Sequence, residues 1–445
     1  MRVLLVNPSW DGLVSGRGRR YNRAWPALDL LNCAALLEQD GHQVELLDAR
    51  AHWVPPEEIG RRARDHDLVF ITSSPLDRWQ CPNIDTDNFL LTTNELPKDR
   101  LIVLGVHGTV MPEQFLQLTG AQAVVLGEPE FTVQDICRQG SVSDVAGVVH
   151  RSGGKAMRNA QRELPDVNTL PTPAFHLLNM DQYGYELLGD RFVLLEGSRS
   201  CPWSCHFCLL KMYGDKYRRK DPARVINDVE IAVEKYGARS AYFIDLEFTV
   251  HRKLVAQLCE FLIRKKYDFR WACQTRLDTV DADMLDMMKK SGCALIHYGV
   301  ETGSERILDT INKKITFEKI RKGMALTHKA GIDSACFFMM GMPGETAEDI
   351  DKTVEFAKLL NPTYASFHVT TPYPGTHFHK QYDDNWTFPI KESFPQTLAL
   401  DDLKRRAKRA MMEFYMRPRY VGSRLLHGHA SSWLKQARLF WNFVR

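Results

Sequence analysis

Residues 192–208 read FVLLEGSRSCPWSCHFC, a short apolar run that leads almost directly into a loop with three cysteines. The run has the length and composition of a buried parallel strand. Five similar runs follow, at 241–245, 270–274, 295–300, 334–340 and 364–368. Segments with helical periodicity separate each run from the next. Six such units are too few for a closed eightfold barrel, so the pattern predicts an open, partial barrel over residues 190–376.

Another alternation of strands and helices precedes this barrel. Its apolar runs lie at 3–7, 43–47, 68–72, 101–105 and 123–126. Such alternation predicts a doubly wound, Rossmann-like parallel sheet over residues 1–144, with a ligand at the carboxyl ends of its strands. Residues 145–189 are predicted to form a connector with a hairpin turn at 152–154. Residues 377–445 are predicted to be helical, so the fold class is α/β with a helical C-terminal region.

The composition is that of an ordinary globular protein. The 445 residues are 44% hydrophobic and 25% charged, which excludes a disordered or fibrous chain. The net charge of +3 is too small to indicate nucleic acid as a partner. No apolar run reaches the ~18 residues of a membrane-spanning helix, and the apolar N-terminal run is too short for a signal peptide. We therefore expect a cytoplasmic protein whose ten cysteines are thiols or metal ligands.

The strongest signal for chemistry is the cysteine loop. Cys201, Cys205 and Cys208 fall in one short segment after the first barrel strand. A structural zinc site needs four protein ligands, whereas an iron–sulfur cluster held by three cysteines leaves one iron open to a substrate. The alternative is a zinc loop in which His206 or a distant residue is the fourth ligand.

The spacing CxxxCxxC after the first barrel strand, with an aromatic residue before the last cysteine, resembles the signature of radical S-adenosylmethionine enzymes. Five further segments resemble motifs of that family, in the expected order and each at the end of a strand. They are YFIDLEF at 242–248, QTRLD at 274–278, GVETGS at 299–304, GMPGET at 341–346 and YPGT at 373–376. Active sites of βα barrels lie at this end of the strands.

The resemblance implies a [4Fe-4S] cluster held by the three cysteines and an S-adenosylmethionine bound to its open iron. It implies that Asp245 binds the methionine ammonium, Arg276 the carboxylate and Glu301 the ribose. Further implied contacts are Phe207 at the adenine, Ser304, and the turn from Gly341 to Gly344, where glycine permits close approach of the main chain. The alternatives are an Asp245–Arg276 salt bridge and a simple turn at Gly341.

The N-terminal half resembles the cobalamin-binding domain that precedes the barrel in a large subfamily of these enzymes. SPL at 74–76, GVHGT at 105–109 and GEPE at 127–130 are similar to its motifs, although Val106 stands where the subfamily usually has glycine. The first loop lacks the DxHxxG motif that supplies a histidine to cobalt in other cobalamin proteins. The implied cobalamin contacts are Ser9, Trp10, Ser74, Leu76, Gly105, His107, Gly127 and Glu128. The alternative is a nucleotide-type doubly wound domain with ordinary tight turns.

Together the resemblances imply an enzyme that methylates an unactivated carbon through a 5′-deoxyadenosyl radical and methylcobalamin. One alternative uses both cofactors for ring closure or another carbon-skeleton change, as in anaerobic porphyrin cyclases. Another alternative is a non-catalytic corrinoid- or cluster-binding sensor. No catalytic residue is predicted, and the candidate substrate contacts are His297, Tyr298 and Tyr373.

The expected partners are a small-molecule substrate, lipid-like or porphyrin-like in one hypothesis, and a reducing protein such as flavodoxin or ferredoxin. The C-terminal segment at 433–445 is aromatic and basic. As a helix it is predicted either to dock on the barrel or to make peripheral contact with a membrane surface.

Overall fold

The computed structural model of the chain describes residues 1–9, 24–74, 85–210, 212–382 and 388–427, with side chains up to residue 422. The predicted site residues Trp10 and Leu76 and the segment at 433–445 lie outside these ranges. Within the ranges, no helix is long and apolar enough to cross a membrane. The described chain forms two large sheets, of seven and six strands, which correspond to the two predicted alternations.

The first sheet has the strand order β2-β1-β3-β4-β5-β6-β7, and its first five strands are parallel. Its strands are β1 (Arg2–Asn7), β2 (Gln43–Asp48), β3 (Leu68–Thr72), β4 (Leu101–Leu104), β5 (Ala123–Val125), β6 (Val148–Ser152) and β7 (Lys155–Arg158). The last two strands form the predicted hairpin, but β6 pairs with β5. This pairing extends the first sheet beyond the predicted boundary at residue 144, because the hairpin continues its hydrogen bonding.

Helices cover both faces of this sheet. They are α1 (Leu28–Gln39), α2 (Ala49–His52), α3 (Pro56–Ala63), α4 (Asp87–Glu95), α5 (Val106–Val110), α6 (Pro112–Thr119) and α7 (Glu130–Gln139). Along β1, Leu4 and Val6 join one buried cluster, while Val3 and Leu5 join the cluster on the opposite face. Burial on both faces explains why these strands are continuous apolar runs.

The connector has little regular structure. It contains a short antiparallel pair, β8 (Gly184–Tyr185) and β9 (Gly189–Asp190). Trp25, which precedes α1 in the first domain, packs against the rings of Tyr185, Phe192 and Tyr242, with centroid distances of 5.1, 5.1 and 5.6 Å. The first domain therefore contacts the second one at the base of its sheet.

The second sheet has the parallel order β10-β13-β14-β15-β16-β17. The strands of this half are β10 (Phe192–Leu195), β11 (Ser198–Arg199), β12 (Arg218–Arg219), β13 (Ser240–Phe243), β14 (Arg270–Thr275), β15 (Cys293–Glu301), β16 (Asp333–Met340) and β17 (Tyr364–Val369). The two edge strands of the described sheet, β10 and β17, do not pair with each other, so the partial barrel is open as predicted. The short strands β11 and β12 pair on either side of the cysteine loop.

Helices pack outside the barrel and over its mouth. They are α8 (Pro222–Glu234), α9 (Arg252–Lys265), α10 (Ala282–Lys290), α11 (Glu305–Thr310), α12 (Phe317–Ala330), α13 (Ala347–Leu360), α14 (His377–Tyr382), α15 (Leu400–Tyr415) and α16 (Pro418–His427). The predicted helical C-terminal region therefore begins at α14. The Tyr415 hydroxyl of α15 donates to the carbonyl of Ala365 in β17 at 2.8 Å, which holds this helix against the last barrel strand.

Candidate active site

The cysteine loop is tied to the chain that follows α11. The Nδ1 atom of His206 lies 3.0 Å from the carbonyl oxygen of Thr310. The Asn312 side-chain amide donates to the main-chain oxygen of Ser204 at 3.0 Å. The His206 ring stacks on His377 with 4.0 Å between the ring centroids. These contacts give His206 a structural partner on each side and hold the loop at the barrel mouth.

Cys201, Cys205 and Cys208 are half-buried on this loop, and none of the three forms a disulfide. Burial raises the pKa of Cys201 to about 12 and raises that of Cys205, while nearby cationic groups lower both. Three thiols on one short loop are the donor set of an iron–sulfur cluster that keeps one iron open, so the residue types fit this group, whereas a structural zinc site needs a fourth protein ligand.

Buried charged side chains lie beside the thiols. The Lys313 ammonium binds the Glu301 carboxylate at 2.8 Å, and the two side chains are only 6% and 8% exposed. Arg276 donates to Asp278 at 2.8 Å and to the main-chain oxygen of Lys313 at 2.7 Å. Its guanidinium also lies 4.6 Å from the centroid of Trp203, next to Cys201 and Cys205 in the loop. Arg276 thus positions the segment that carries Lys313.

Glu247, which is not among the predicted site residues, completes this charged group. Burial raises the pKa of Glu247 to about 7, while Lys313 and Arg276 lower it. The Thr275 hydroxyl donates to its carboxylate at 3.3 Å. A half-buried carboxylate among cations can accept a ligand ammonium. Its position two residues after Asp245 in the same YFIDLEF segment was the sequence signal for it.

Asp245 contacts the chain ahead of the cysteine loop. Its carboxylate accepts the main-chain N–H of Gly197 at 2.8 Å and the hydroxyl of Ser198 at 2.5 Å. Burial raises the pKa of Asp245 to about 7. These bonds fix the entry into the loop, so the structure gives Asp245 a positioning role. The half-buried Phe207 packs at the edge of the main barrel core.

Three other residues predicted to bind S-adenosylmethionine contact neighbouring parts of the chain. The Ser304 hydroxyl donates to Asp349 at 2.6 Å. The Gly344 N–H donates to the main chain of residue 396 at 3.2 Å. At Gly341, where φ is +90°, an added Cβ would lie 2.7 Å from Leu403 of α15, so this glycine permits close packing of the helix. Their contacts with S-adenosylmethionine stay predictions.

The candidate substrate residues on β15 point to opposite sides. The His297 ring faces the barrel interior, and its two nitrogens lie 3.1 Å from the hydroxyls of Tyr185 and Tyr242. Burial lowers the pKa of His297 to about 3, so the ring is neutral. Tyr298 points outward, where its hydroxyl lies 2.8 Å from that of Thr327 in α12. Alternation along the strand therefore removes Tyr298 from the candidate substrate contacts.

The third candidate substrate residue, Tyr373, is half-buried and lies outside β15. It packs against the buried cluster of the first domain that contains Leu4 and Val6. Its predicted contact with substrate stays a prediction.

The strand order of the first sheet places a ligand crevice between β1 and β3, where the order reverses. Ser9 follows β1 and is half-buried. The Ser74 hydroxyl, after β3, accepts the N–H of Val106 at 3.2 Å. Gly105 has φ +93°, and an added Cβ would lie 2.8 Å from Ser74. The His107 ring is fully buried. The contacts between the SPL and GVHGT segments therefore join the ends of β3 and β4.

The GEPE turn lies at the same edge. The Gly127 N–H donates to Thr109 at 2.9 Å, and its φ of +70° suits glycine. Main chain and small side chains at this edge fit one wall of a flat macrocycle. Glu128 differs from the expectation, because its carboxylate binds Arg199 at 2.6 Å and also pairs with Arg218. It therefore contacts the barrel domain, and its predicted role at cobalamin is not supported by these contacts.

Comparisons with known families match both halves of the chain. Residues 195–357 match the radical SAM superfamily, and residues 17–136 match the B12 binding domain. An uncharacterized methyltransferase of Pyrococcus horikoshii is 26% identical over 96% of this chain and 95% of its own length. An anaerobic magnesium-protoporphyrin IX monomethyl ester cyclase of Rubrivivax gelatinosus is 27% identical over 86% of this chain and 70% of its own.

Solved structures share the fold. The radical S-adenosylmethionine methyltransferase TsrM from Kitasatospora setae, with cobalamin and a [4Fe-4S] cluster bound, superposes with a TM-score of 0.68 at 17% identity. The alignment covers 86% of this chain and 74% of TsrM. The cobalamin-dependent S-adenosylmethionine radical enzyme OxsB gives a TM-score of 0.66 at 18% identity, over 80% of this chain and 52% of OxsB.

These matches confirm the predicted fold class, the two-domain resemblance and the cofactors, namely a [4Fe-4S] cluster, S-adenosylmethionine and cobalamin. The radical SAM match at residues 195–357 includes the whole buried charged group of Glu247, Arg276, Glu301 and Lys313. The non-catalytic sensor is therefore set aside. The chain therefore combines a radical SAM domain with a B12 binding domain that precedes it, as the sequence resemblance implied.

Proposed function

We propose that this enzyme transfers a methyl group to an unactivated carbon of a small-molecule substrate. The observation that carries the proposal is the contact between the GEPE turn of the cobalamin domain and β11, which directly precedes the cysteine loop. Arg199 of β11 binds Glu128 at 2.6 Å and Glu130 at 2.7 Å. This contact brings the cobalamin-binding edge to the mouth of the radical SAM barrel, where both cofactors can reach one substrate.

We assign the S-adenosylmethionine site to the buried charged group. Glu247 is suited to the methionine ammonium, because its described contact is with the Thr275 hydroxyl, whereas Glu301 is paired with Lys313 and Asp278 with Arg276. Lys313 is suited to the carboxylate, since an ammonium has three donors and Glu301 occupies one of them. Arg276, which the sequence assigned to the carboxylate, instead holds the main chain of Lys313 in place.

When bound, the cluster supplies the electron that cleaves S-adenosylmethionine, and cobalamin supplies the methyl group. The protein provides the geometry. The electron donor is proposed to be a flavodoxin or ferredoxin.

Ring closure is the second candidate, because cyclases are among the relatives. A protein named as a methyltransferase is also among the relatives and matches 96% of this chain, which supports methyl transfer as the first candidate.

The test uses protein reconstituted without oxygen with iron, sulfide and hydroxocobalamin. S-adenosylmethionine and a strong reductant are added, and 5′-deoxyadenosine and S-adenosylhomocysteine are quantified beside a Cys205→Ala control. Both products, with only 5′-deoxyadenosine lost in the control, are expected for methyl transfer. 5′-Deoxyadenosine alone would move the assignment to ring closure or rearrangement. Neither product, with cluster and corrinoid bound, would overturn both.

The proposed S-adenosylmethionine site has its own test. Glu247→Gln is expected to weaken binding of S-adenosylmethionine to the reconstituted protein, measured by equilibrium dialysis, while iron content is unchanged. Glu260→Gln on the outer surface of α9 is the matched control. Equal affinity in Glu247→Gln and the control would overturn the assignment of Glu247.

A further inference from the structure

Arg199 lies in the interface between the two domains, and it is outside the predicted motifs. Its side chain is fully buried, and its guanidinium contacts three carboxylates. Glu196 belongs to the same strand–loop segment of the barrel and lies at 3.0 Å. Glu128 and Glu130 belong to the cobalamin domain and lie at 2.6 and 2.7 Å. One buried cation therefore joins both domains.

Further ion pairs extend the network around Arg199. Glu128 also pairs with Arg218, and Glu196 pairs with Lys220 at 3.2 Å. Lys220 also lies 4.0 Å from Asp228, so with Glu130 four carboxylates face three cations, and none of the seven side chains is more than 9% exposed. A buried network of this kind adds little net stability compared with apolar packing, but removing one member leaves an uncompensated charge. Bonds to carboxylates of both domains hold the Arg199 guanidinium in one position.

The main chain connects this position to the cysteine loop. Arg199 lies two residues before Cys201. The intervening Ser200 is fully buried with φ +67°, and its hydroxyl donates to the carbonyl of Gly214 at 2.8 Å. Strand pairing places Arg199 opposite Arg218, which shares Glu128. The first cluster ligand therefore has a defined position relative to the GEPE turn.

We propose that Arg199 is a positioning residue that sets the distance between the iron–sulfur cluster and the cobalamin. It does so by binding the cobalamin domain through Glu128 and Glu130 and the cysteine loop through its own main chain. The role is independent of whether the reaction is methyl transfer or ring closure. It requires only that both cofactors bind, which absorbance and metal analysis report separately.

The test measures the spin–spin interaction between the reduced cluster and cob(II)alamin by electron paramagnetic resonance in the doubly loaded protein. Glu130→Gln weakens a contact between the domains, whereas Glu196→Gln makes the same charge change on the same guanidinium within the barrel. We expect Glu130→Gln to broaden or abolish the defined interaction, and Glu196→Gln to keep it. Iron and corrinoid contents are expected to match wild type in both.

Arg199→Lys provides a second measurement that retains the charge but not the forked geometry. It is expected to lose the defined interaction as Glu130→Gln does. An unchanged interaction in both variants would overturn the proposal. An equal loss in Glu196→Gln would also overturn it, because the network would then act only on the stability of the fold.

Discussion

The buried pair of Lys313 and Glu301 allows a quantitative prediction. Lys313→Met keeps the aliphatic stem and removes the charge, so Glu301 loses its partner. The two charged atoms are 2.8 Å apart, a separation at which unit charges attract by ~6 kcal/mol with an effective dielectric constant of ~20. Desolvation of both groups offsets part of this attraction. We expect the free energy of unfolding to fall by ~3–5 kcal/mol, as for other buried pairs that lose one member.

The assay is urea unfolding of the cofactor-free protein without oxygen, followed by circular dichroism. Lys314→Met is the matched control, because the neighbouring Lys314 is exposed and is expected to change stability by no more than ~0.5 kcal/mol. The double variant Lys313→Met with Glu301→Gln is expected to recover most of the loss, since it leaves no uncompensated charge. A loss below ~1 kcal/mol in Lys313→Met, or a double variant no more stable than the single one, would refute the reasoning.

Three further predictions concern the surrounding structure. Burial raises the pKa of Glu345 from its ordinary value of 4.5 to about 7. Between pH 4.5 and pH 7, the folded protein therefore keeps a proton on this carboxyl that the unfolded chain has released. Stability should therefore fall as pH rises through this range, by up to ~3 kcal/mol from this group, and urea unfolding at pH 5 and 8 should show a shallower fall in Glu345→Gln. Gly105→Ala should lower the free energy of unfolding by ~2–3 kcal/mol and weaken cobalamin retention, because the added Cβ would meet Ser74. Gly154→Ala, at φ +78° in open space, is the control and should cost only ~1 kcal/mol. Equal losses of stability in the two variants would contradict this reasoning. Tyr298→Phe should lower stability by ~1 kcal/mol through the lost hydrogen bond and leave 5′-deoxyadenosine formation unchanged; reduced formation at full cofactor loading would return Tyr298 to the site.

Much of the architecture was predictable because it depends on local patterns. The apolar runs correspond to five strands of the first sheet and six of the barrel, since strands buried on both faces are continuous apolar segments. The cysteine loop was equally readable, because its three donors are close in sequence. The hairpin at β6 and β7 was predicted as a hairpin but assigned to the connector, since nothing local shows that its edge bonds to β5.

Side-chain partners at the site were less predictable. Asp245 and Glu247 are two residues apart in one motif, and only the packing shows that Asp245 binds Gly197 and Ser198 while Glu247 lies beside Lys313. Lys313 follows a helix in a loop with no motif of its own, so the sequence offered no signal for it. These two carboxylates of one motif differ in role because the side chains around each of them come from distant parts of the chain.

The sequence by itself determined the fold class through its periodicity, and its resemblance to a known family implied the cofactors, which the comparisons confirm. The three cysteines as cluster ligands stay a prediction. Only the tertiary structure decided which charges are paired. It assigned Glu128 to Arg199 across the domain interface and moved Tyr298 out of the barrel. The physical reason is that a buried charge or hydroxyl must find a partner, and the partner is selected by the three-dimensional packing of segments that are far apart in the chain.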